Sequence, residues 1–365
     1  MDNATSSPES RWQLTVISLG SLPLAQLPML ARGLARPLQD VAQVLCQAPA
    51  VLVDGLPAAT AESLHEMLAE LGLDLRLEPD GTPTPGTPLF DVAAHVSEPA
   101  RAGDIADALG DFLGVDSARA LALLATPPGI LLGRVGAALI DTLEERLGPG
   151  VLLTRAACEE GRFDLHVAPG ARLPAGLATA LGEPLPAPRA GLIPLGLDVG
   201  ESQRLWPHLK GRSDIRLINR RLVRWDLVLL APAAALPHRV SALEGLFGIP
   251  AKVAGRVLDS APLALAEALL EEEAERLAGE ARRLGLEVAL EPAGFDRVGL
   301  WVDSARDAER VRTTLSRLGM PSPMRFPALV GEDLADLEAR ILARALADVG
   351  ARTRFVETGP REARP

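Results

Sequence analysis

The run Lys210 to Arg224, KGRSDIRLINRRLVR, carries six cations, Lys210, Arg212, Arg216, Arg220, Arg221 and Arg224, against the single Asp214. Planar guanidinium forks bind carboxylates or phosphates through paired hydrogen bonds, so this run suits docking to an acidic protein surface or an anionic ligand. Trp206 and Trp225 flank it, and Phe247, in the apolar stretch SALEGLFGIPAKVAGRVL, joins the same partner-binding set. A structural reading competes. The run links two folding units, and its arginines are the solvent-facing residues of DIRLI and LVRW, pairing with acidic helices nearby.

Other residue types that could carry chemistry are scattered. His65, His95, His166, His208 and His238 have no second metal ligand at helical or hairpin spacing and read as partly exposed surface histidines. Cys46 and Cys158 are too few for a zinc site or a disulfide framework, and no neighbouring cation pattern activates either thiol; Cys46 reads as core. There is no Gly-x-Ser-x-Gly elbow, P-loop or Gly-x-Gly-x-x-Gly turn. Carboxylates are placed on helix faces, and Glu271, Glu272 and Glu273 sit near a helix start, where anions meet the helix dipole. Neither a catalytic centre nor a metal or cofactor site is expected.

The bulk numbers narrow the function classes. A chain of 365 residues with 48% hydrophobic content can build several small cores. A net charge of −11 argues against a general nucleic-acid or anionic-membrane surface, which needs clustered cations. Lys210 and Lys252 are the only lysines and tyrosine is absent, a skew expected of GC-rich coding. The apolar stretch Leu227 to Pro237 contains two prolines and falls short of the roughly 18 to 20 residues a spanning helix needs, so it reads as a buried strand entering a turn. The start MDNATSSPESRW lacks the apolar core of a secretory signal, and a reducing cytoplasm is expected.

The elements that hold these residues come from a repeat. AESLHEMLAELGLDLRLEP, from Ala61, and AERLAGEARRLGLEVALEP, from Ala274, are identical at nine of nineteen positions. In the first, Leu64, Met67, Leu68 and Leu71 form one apolar stripe of a helix, Gly72 ends it, and Leu73 to Glu78 alternates as a half-buried strand closed by Pro79. The two copies differ at positions expected to be exposed: His65 against Ala278, Glu70 against Arg283, Arg76 against Ala289. The same offset pairs Trp12 with Trp225, Leu30 with Leu243, Pro37 with Pro250 and Pro49 with Pro262, so a whole module repeats. Weaker copies start at Phe90-Asp91-Val92 and Phe163-Asp164-Leu165, and another runs through FDRVGLWVDSARDAERVRTTLSRLG with one helix in place of two.

The predicted fold class is α+β, as tandem repeats of a β-α-α-β-α-β module, each a small antiparallel sheet packed on helices. The repeats are placed at 11–79, 89–156, 157–222 (degenerate and proline-rich), 223–292 and 293–358 (shortened front half). Residues 80–88 form a linker, and disordered tails are expected at 1–10 and 359–365.

The stretches CQAPAVLVDGLPAATAESLHEMLAELGLDLRLE and DSAPLALAEALLEEEAERLAGEARRLGLEVALE resemble the C-terminal domain of the bacterial ribosomal stalk protein, a fold shared with the N-degron adaptor of the Clp protease. The shared features are an Ala-Pro step, a short strand, an acidic helix start and a Gly-terminated helix running into the last strand. The resemblance implies a three-stranded antiparallel sheet on three helices. Where the stalk domain meets translation factors through lysines, the helix pairs here are mainly apolar. Where the adaptor grips an amino terminus with Asn and Asp, this chain has Leu230-Ala231-Pro232-Ala233. LWVDSARDAERVRTTLSRLGMPS also resembles the glycan-binding repeats of cell-division proteins over one strand and one helix.

Repeated small modules without an evident active site predict a non-catalytic scaffold that docks protein partners, acidic surfaces among them, in a cytoplasmic bacterial assembly. Two alternatives stand beside it. One is a regulatory module binding a small molecule or anionic ligand between paired repeats; the other is a protease- or translation-associated adaptor.

Overall fold

The structure is a computed structural model, and it describes residues 11–84, 86–168, 170–181, 191–212 and 214–357. The tails predicted at 1–10 and 359–365 lie outside these residues. No helix among them is long and apolar enough to cross a membrane.

The first module opens with β1 (Arg11–Ser18), whose alternation puts Leu14 and Val16, both fully buried, on one face and Gln13 and Thr15, nearly as buried, on the other. Helices α1 (Leu27–Gly33) and α2 (Leu38–Cys46) pack beneath the first face, followed by β2 (Ala50–Pro57), α3 (Ala58–Glu70) and β3 (Asp74–Pro79). The sheet order is β2-β1-β3, with both neighbours antiparallel to the central first strand. Gln13 is buried because the chain after β3 folds back: its amide donates to the Thr82 carbonyl at 2.9 Å and accepts from Gly81 N at 3.0 Å.

The reversal from α3 to β3 depends on Gly72, whose φ of +100° lies in the left-handed region. Gly285 and Gly350 take φ of +71° and +83° at the corresponding turns later in the chain. The stripe on α3 differs from expectation in one residue. Ala61 and Leu68 are fully buried and Leu64 and Leu71 half-buried, but Met67 is 49% exposed. The buried line runs along Ala61 and Leu68, seven residues apart on one helix side, and Met67 is turned about 100° away from Leu68. The copy also differs from its partner in depth: Ala278, set against His65 as an exposed position, is fully buried in its core.

The second module contains β4 (Phe90–Val96), α4 (Ala102–Leu113), α5 (Ser117–Ala125), β5 (Ile130–Val135), α6 (Ala137–Leu147) and β6 (Val151–Ala157). The third has β7 (Phe163–Val167), α7 (Ala175–Leu181), β8 (Leu192–Leu197), α8 (Val199–Leu209) and β9 (Ile215–Asn219). The fourth restores the full order: β10 (Trp225–Leu229), α9 (Pro237–Phe247), α10 (Ala251–Asp259), β11 (Leu263–Leu269), α11 (Glu271–Arg283) and β12 (Val288–Pro292). The fifth, β13 (Arg297–Ala305), α12 (Ala308–Arg317), β14 (Ala328–Ala335), α13 (Asp336–Asp348) and β15 (Ala351–Glu357), has one helix before its second strand. All five three-stranded sheets keep the first strand in the centre.

One irregularity recurs in every module. The second strand bulges opposite the second or third residue of the central strand, at Gln13, Asp91, Asp164, Asp226 and Gly299. Each bulge carries a residue with positive φ: Gly55 (66°), Arg134 (57°), Gly196 (61°), Ala268 (53°) and Asp333 (53°). A cis X-Pro bond precedes the second strand in four modules, at Pro49, Pro128, Pro262 and Pro327.

The modules gather into two compact units. One comprises residues 1–124 and 130–159; the other comprises 125–129 and 160–365. In the first, α6 packs on β1, Gly136 N donates to the Cys46 carbonyl at 2.8 Å, and a Cβ on Gly136 would lie 2.3 Å from the Ala48 carbonyl oxygen. In the second, Leu165, Leu177, Ile193, Leu205 and Ile215 form the helix-side core of the third module. Leu192, Ile218, Val223 and Phe295 form a separate small cluster with Trp225.

Candidate functional site

The basic run starts at the cap after α8 and continues through β9 and the turn into β10, and the structure separates its members. Arg220 extends from the turn after β9 and donates through Nε and Nη2 to the two oxygens of Asp164, both at 2.8 Å, while Glu271 lies 3.7 Å away. Asp164 is fully buried and also accepts from Leu195 N and Gly196 N at 2.9 Å, so four donors converge on one carboxylate. Hydrogen bonding to Asp164 holds Arg220 above the ordinary guanidinium range, and burial pushes the Glu271 carboxyl up.

Arg212 binds both oxygens of Asp214 at 2.6 Å and the Arg172 carbonyl at 3.0 Å. Arg216, cross-strand from His166, donates to the Pro127 carbonyl at 3.0 Å, and its Nε is enclosed without a partner. Burial lowers its pKa. Arg224 donates to the Ala268 carbonyl at 3.0 Å. Arg221 reaches Glu160 at 3.3 Å from a half-exposed position. Phe247 is half-buried and packs against the fourth module's core, away from any grouping with the arginines. Lys210 is exposed at the end of α8.

Arg224 belongs to a recurring device. Arg11, Arg162 and Arg297 occupy the same place, two residues ahead of the bulge position, and donate to the bulge carbonyls of Gly55 (3.3 Å), Gly196 (3.2 Å) and Asp333. The next-but-one residue holds the bulge amides: Asp91 accepts from Arg134 N at 3.1 Å, Asp226 from Ala268 N at 2.7 Å, and Asp164 as described. A bulge removes backbone groups from the ladder, and side chains supply their partners. The triplets Arg162-Phe163-Asp164 and Arg224-Trp225-Asp226 spell the whole device, Arg11-Trp12-Gln13 its arginine half, and aligning the repeats on their first aromatic residue reveals it. The expectation that carboxylates sit on helix faces misses Asp91, Asp164 and Asp226.

The three aspartates differ in surroundings. Asp226 has only the Ala268 amide, and burial, reinforced by Glu267, Asp336 and Asp296, pushes its carboxyl up to about 6. Asp91 also accepts from the Cys158 thiol at 3.4 Å; burial, and then Asp91 itself, raise that thiol to about 11, leaving it unreactive. Cys46 is half-buried and its pKa is raised by burial.

His166 is the histidine that departs from the surface reading. It lies 5.6 Å from the Phe295 ring, its Nδ1 is enclosed without a partner, and burial, with Arg216 beside it, lowers its pKa to about 4. Among the described residues no three His, Cys, Asp or Glu side chains gather as a metal site. A shallow open depression on α3 is lined by Ala59, Thr60, Ser63, Leu64 and Met67, on one helix of the first module. Compared with known proteins, the chain matches no family profile, no curated protein and no solved structure.

Proposed function

We propose that this chain is a non-catalytic multi-repeat scaffold whose modules dock partner proteins, acidic surfaces among them, in a cytoplasmic bacterial assembly. The observation that carries this reading is the contrast between frame and surface. Strand order and bulge recur five times, while equivalent outward positions diverge, as where exposed Glu70 faces the world in one module and exposed Arg283 in another. A frame kept constant under changing surfaces suits different partners on different modules. The most ordered polar groups near the basic run, the Arg220 and Asp164 pair, hold the fold, which supports a docking role over a reaction. The module's resemblance to the stalk protein's C-terminal domain accords with this.

The test is chemical cross-linking in the native cell followed by purification at mild salt and mass spectrometry. A stoichiometric set of partners is expected, with cross-links mapping to more than one module. A chain recovered alone would overturn the reading.

A further inference from the structure

The first four modules share one more bond, and the residue that makes it decides what meets the bulge aspartate. After the third strand the chain crosses the start of the central strand, where a backbone amide donates to a carbonyl: Asp80 to Arg11, Cys158 to Leu89, Arg220 to Arg162 and Ala293 to Arg224, at 2.7–2.9 Å. These four residues are therefore equivalent. In the second module the side chain at this place is the thiol that donates to Asp91, and in the third it is the guanidinium that grips Asp164. In the fourth it is a methyl group, so the chain brings no side-chain donor from this place to Asp226.

The rest of the arginine's setting is kept. Glu271, 3.7 Å from Arg220, is the first residue of α11, and Asp336 is the first residue of α13 in the next module. Other neighbours become acidic: Glu291 stands where Ile218 does as the cross-strand partner of the aspartate, and Glu267 where Leu195 does before the bulge residue. Glu267, Asp336 and Asp296 act together on the Asp226 carboxyl and raise it. Arg340 pairs with Asp336 at 3.0 Å. Asp226 turns Oδ1 to the bulge amide as Asp164 does, and its Oδ2, the atom that in Asp164 receives the arginine's Nε, has no donor among the described residues. Asp164 is sealed from solvent, whereas Asp226 is half-buried with Glu267 and Asp296 exposed beside it, so a side chain from outside can reach it.

We infer that Asp226, with Asp336 and Glu291 around it, is a socket for an arginine side chain of a partner protein, seated as Arg220 is seated on Asp164 one module earlier. The ligand class is read from that internal arginine: paired bonds to one carboxylate use the flat fork of a guanidinium, which an ammonium lacks. A metal ion fits less well, since among the described residues no three His, Cys, Asp or Glu side chains gather as a metal site. The source of the arginine rests on the scaffold reading, and the socket gives one partner a basic chemistry that suits a chain of net charge −11.

The test uses the full chain at about pH 8, where the Asp226 carboxyl is ionised, and follows the amide resonance of Ala268, the donor to Asp226. The probes are the end-blocked peptide Gly-Arg-Gly, its lysine and neutral citrulline counterparts, and free arginine. The expected result is a saturable shift with the arginine peptide that weakens as salt rises, a weaker response to lysine and none to citrulline. Asp226→Asn keeps the acceptor for Ala268 N and should lower the affinity about tenfold or more. Ala293→Arg should supply the arginine from within and abolish the response. Ala293 is buried, so circular dichroism checks that variant first, and Asp226→Asn carries the test alone if the larger side chain disturbs the fold. No saturable shift, an equal response to citrulline, tighter binding of free arginine than of the peptide, or undiminished binding by Asp226→Asn would each overturn the inference. In native-cell cross-linking, Asp226→Asn should remove one partner and leave the others. Retention of the whole set sinks this site alone; an empty set in the unaltered chain sinks the scaffold.

Discussion

Two aspartates at the same place in the module show how surroundings set a carboxylate's consequences. Asp164 receives two backbone amides and a two-pronged arginine, and it is fully buried. Removing it leaves Arg220 without its main partner in a largely desolvated site, so Asp164→Ala should cost about 3–5 kcal/mol in denaturant unfolding. Arg220→Met in the same background should cost less than additively, because the stranded charge is gone. Asp226 has one amide and no arginine, and its folded pKa of about 6 lies above the ordinary value of 3.8. The ionised form is therefore disfavoured by folding. The penalty is full above about pH 6, shrinks as pH falls, and vanishes below the unfolded pKa near 4. Asp226→Asn keeps the acceptor for Ala268 N and loses the charge, so the variant should be more stable than the native chain at pH 8, by at most about 3 kcal/mol, and the two should converge near pH 4. Melting temperatures measured across that range check it; a constant difference would show that Asp226 does not titrate with folding.

At the level of strands and helices, close backbone approach decides which glycines are indispensable. Gly136 has ordinary backbone angles, yet a methyl group there would collide with the Ala48 carbonyl where α6 meets the first module. Gly136→Ala should destabilise by about 2 kcal/mol or more. Gly245, inside α9 with open space around it, is the control: Gly245→Ala should stabilise by about 0.5–1 kcal/mol, both read from denaturant midpoints. The elements themselves were legible from periodicity and from the glycine and proline punctuation that repeats with them, down to the missing helix of the fifth module. The depth of individual side chains was less so. Met67 has the right spacing for the stripe but sits on its edge, and Ala278 looks interchangeable with His65 until the helix is packed. The basic run was visible as composition, but charge density alone does not distinguish arginines that hold bulges and buried carboxylates from a cation left exposed, as Lys210 is. The bulge device was in plain sight as the two aligned triplets at Arg162 and Arg224; period-two reasoning treats the polar residue after an aromatic as outward-facing and passes over it.

For the whole molecule, two compact units predict two steps of unfolding. Scanning calorimetry should resolve two transitions, with Gly136→Ala lowering one and Asp164→Ala the other, because each change lies within a different unit. A single transition shifted equally by both would show that the units melt as one. The division does not follow the order of the chain, since residues 125–129 belong to the second unit while their neighbours on both sides belong to the first. Genetic dissection inherits that crossing. A fragment begun at residue 160 keeps every strand and helix of the third, fourth and fifth modules but omits Pro127, whose carbonyl receives Arg216. Such a fragment would expose a half-buried guanidinium together with the His166 and Phe295 contact behind it. Truncations drawn at module borders would then report damage at the cut as though it were loss of a partner, so function in this chain is better mapped by surface substitution than by deletion.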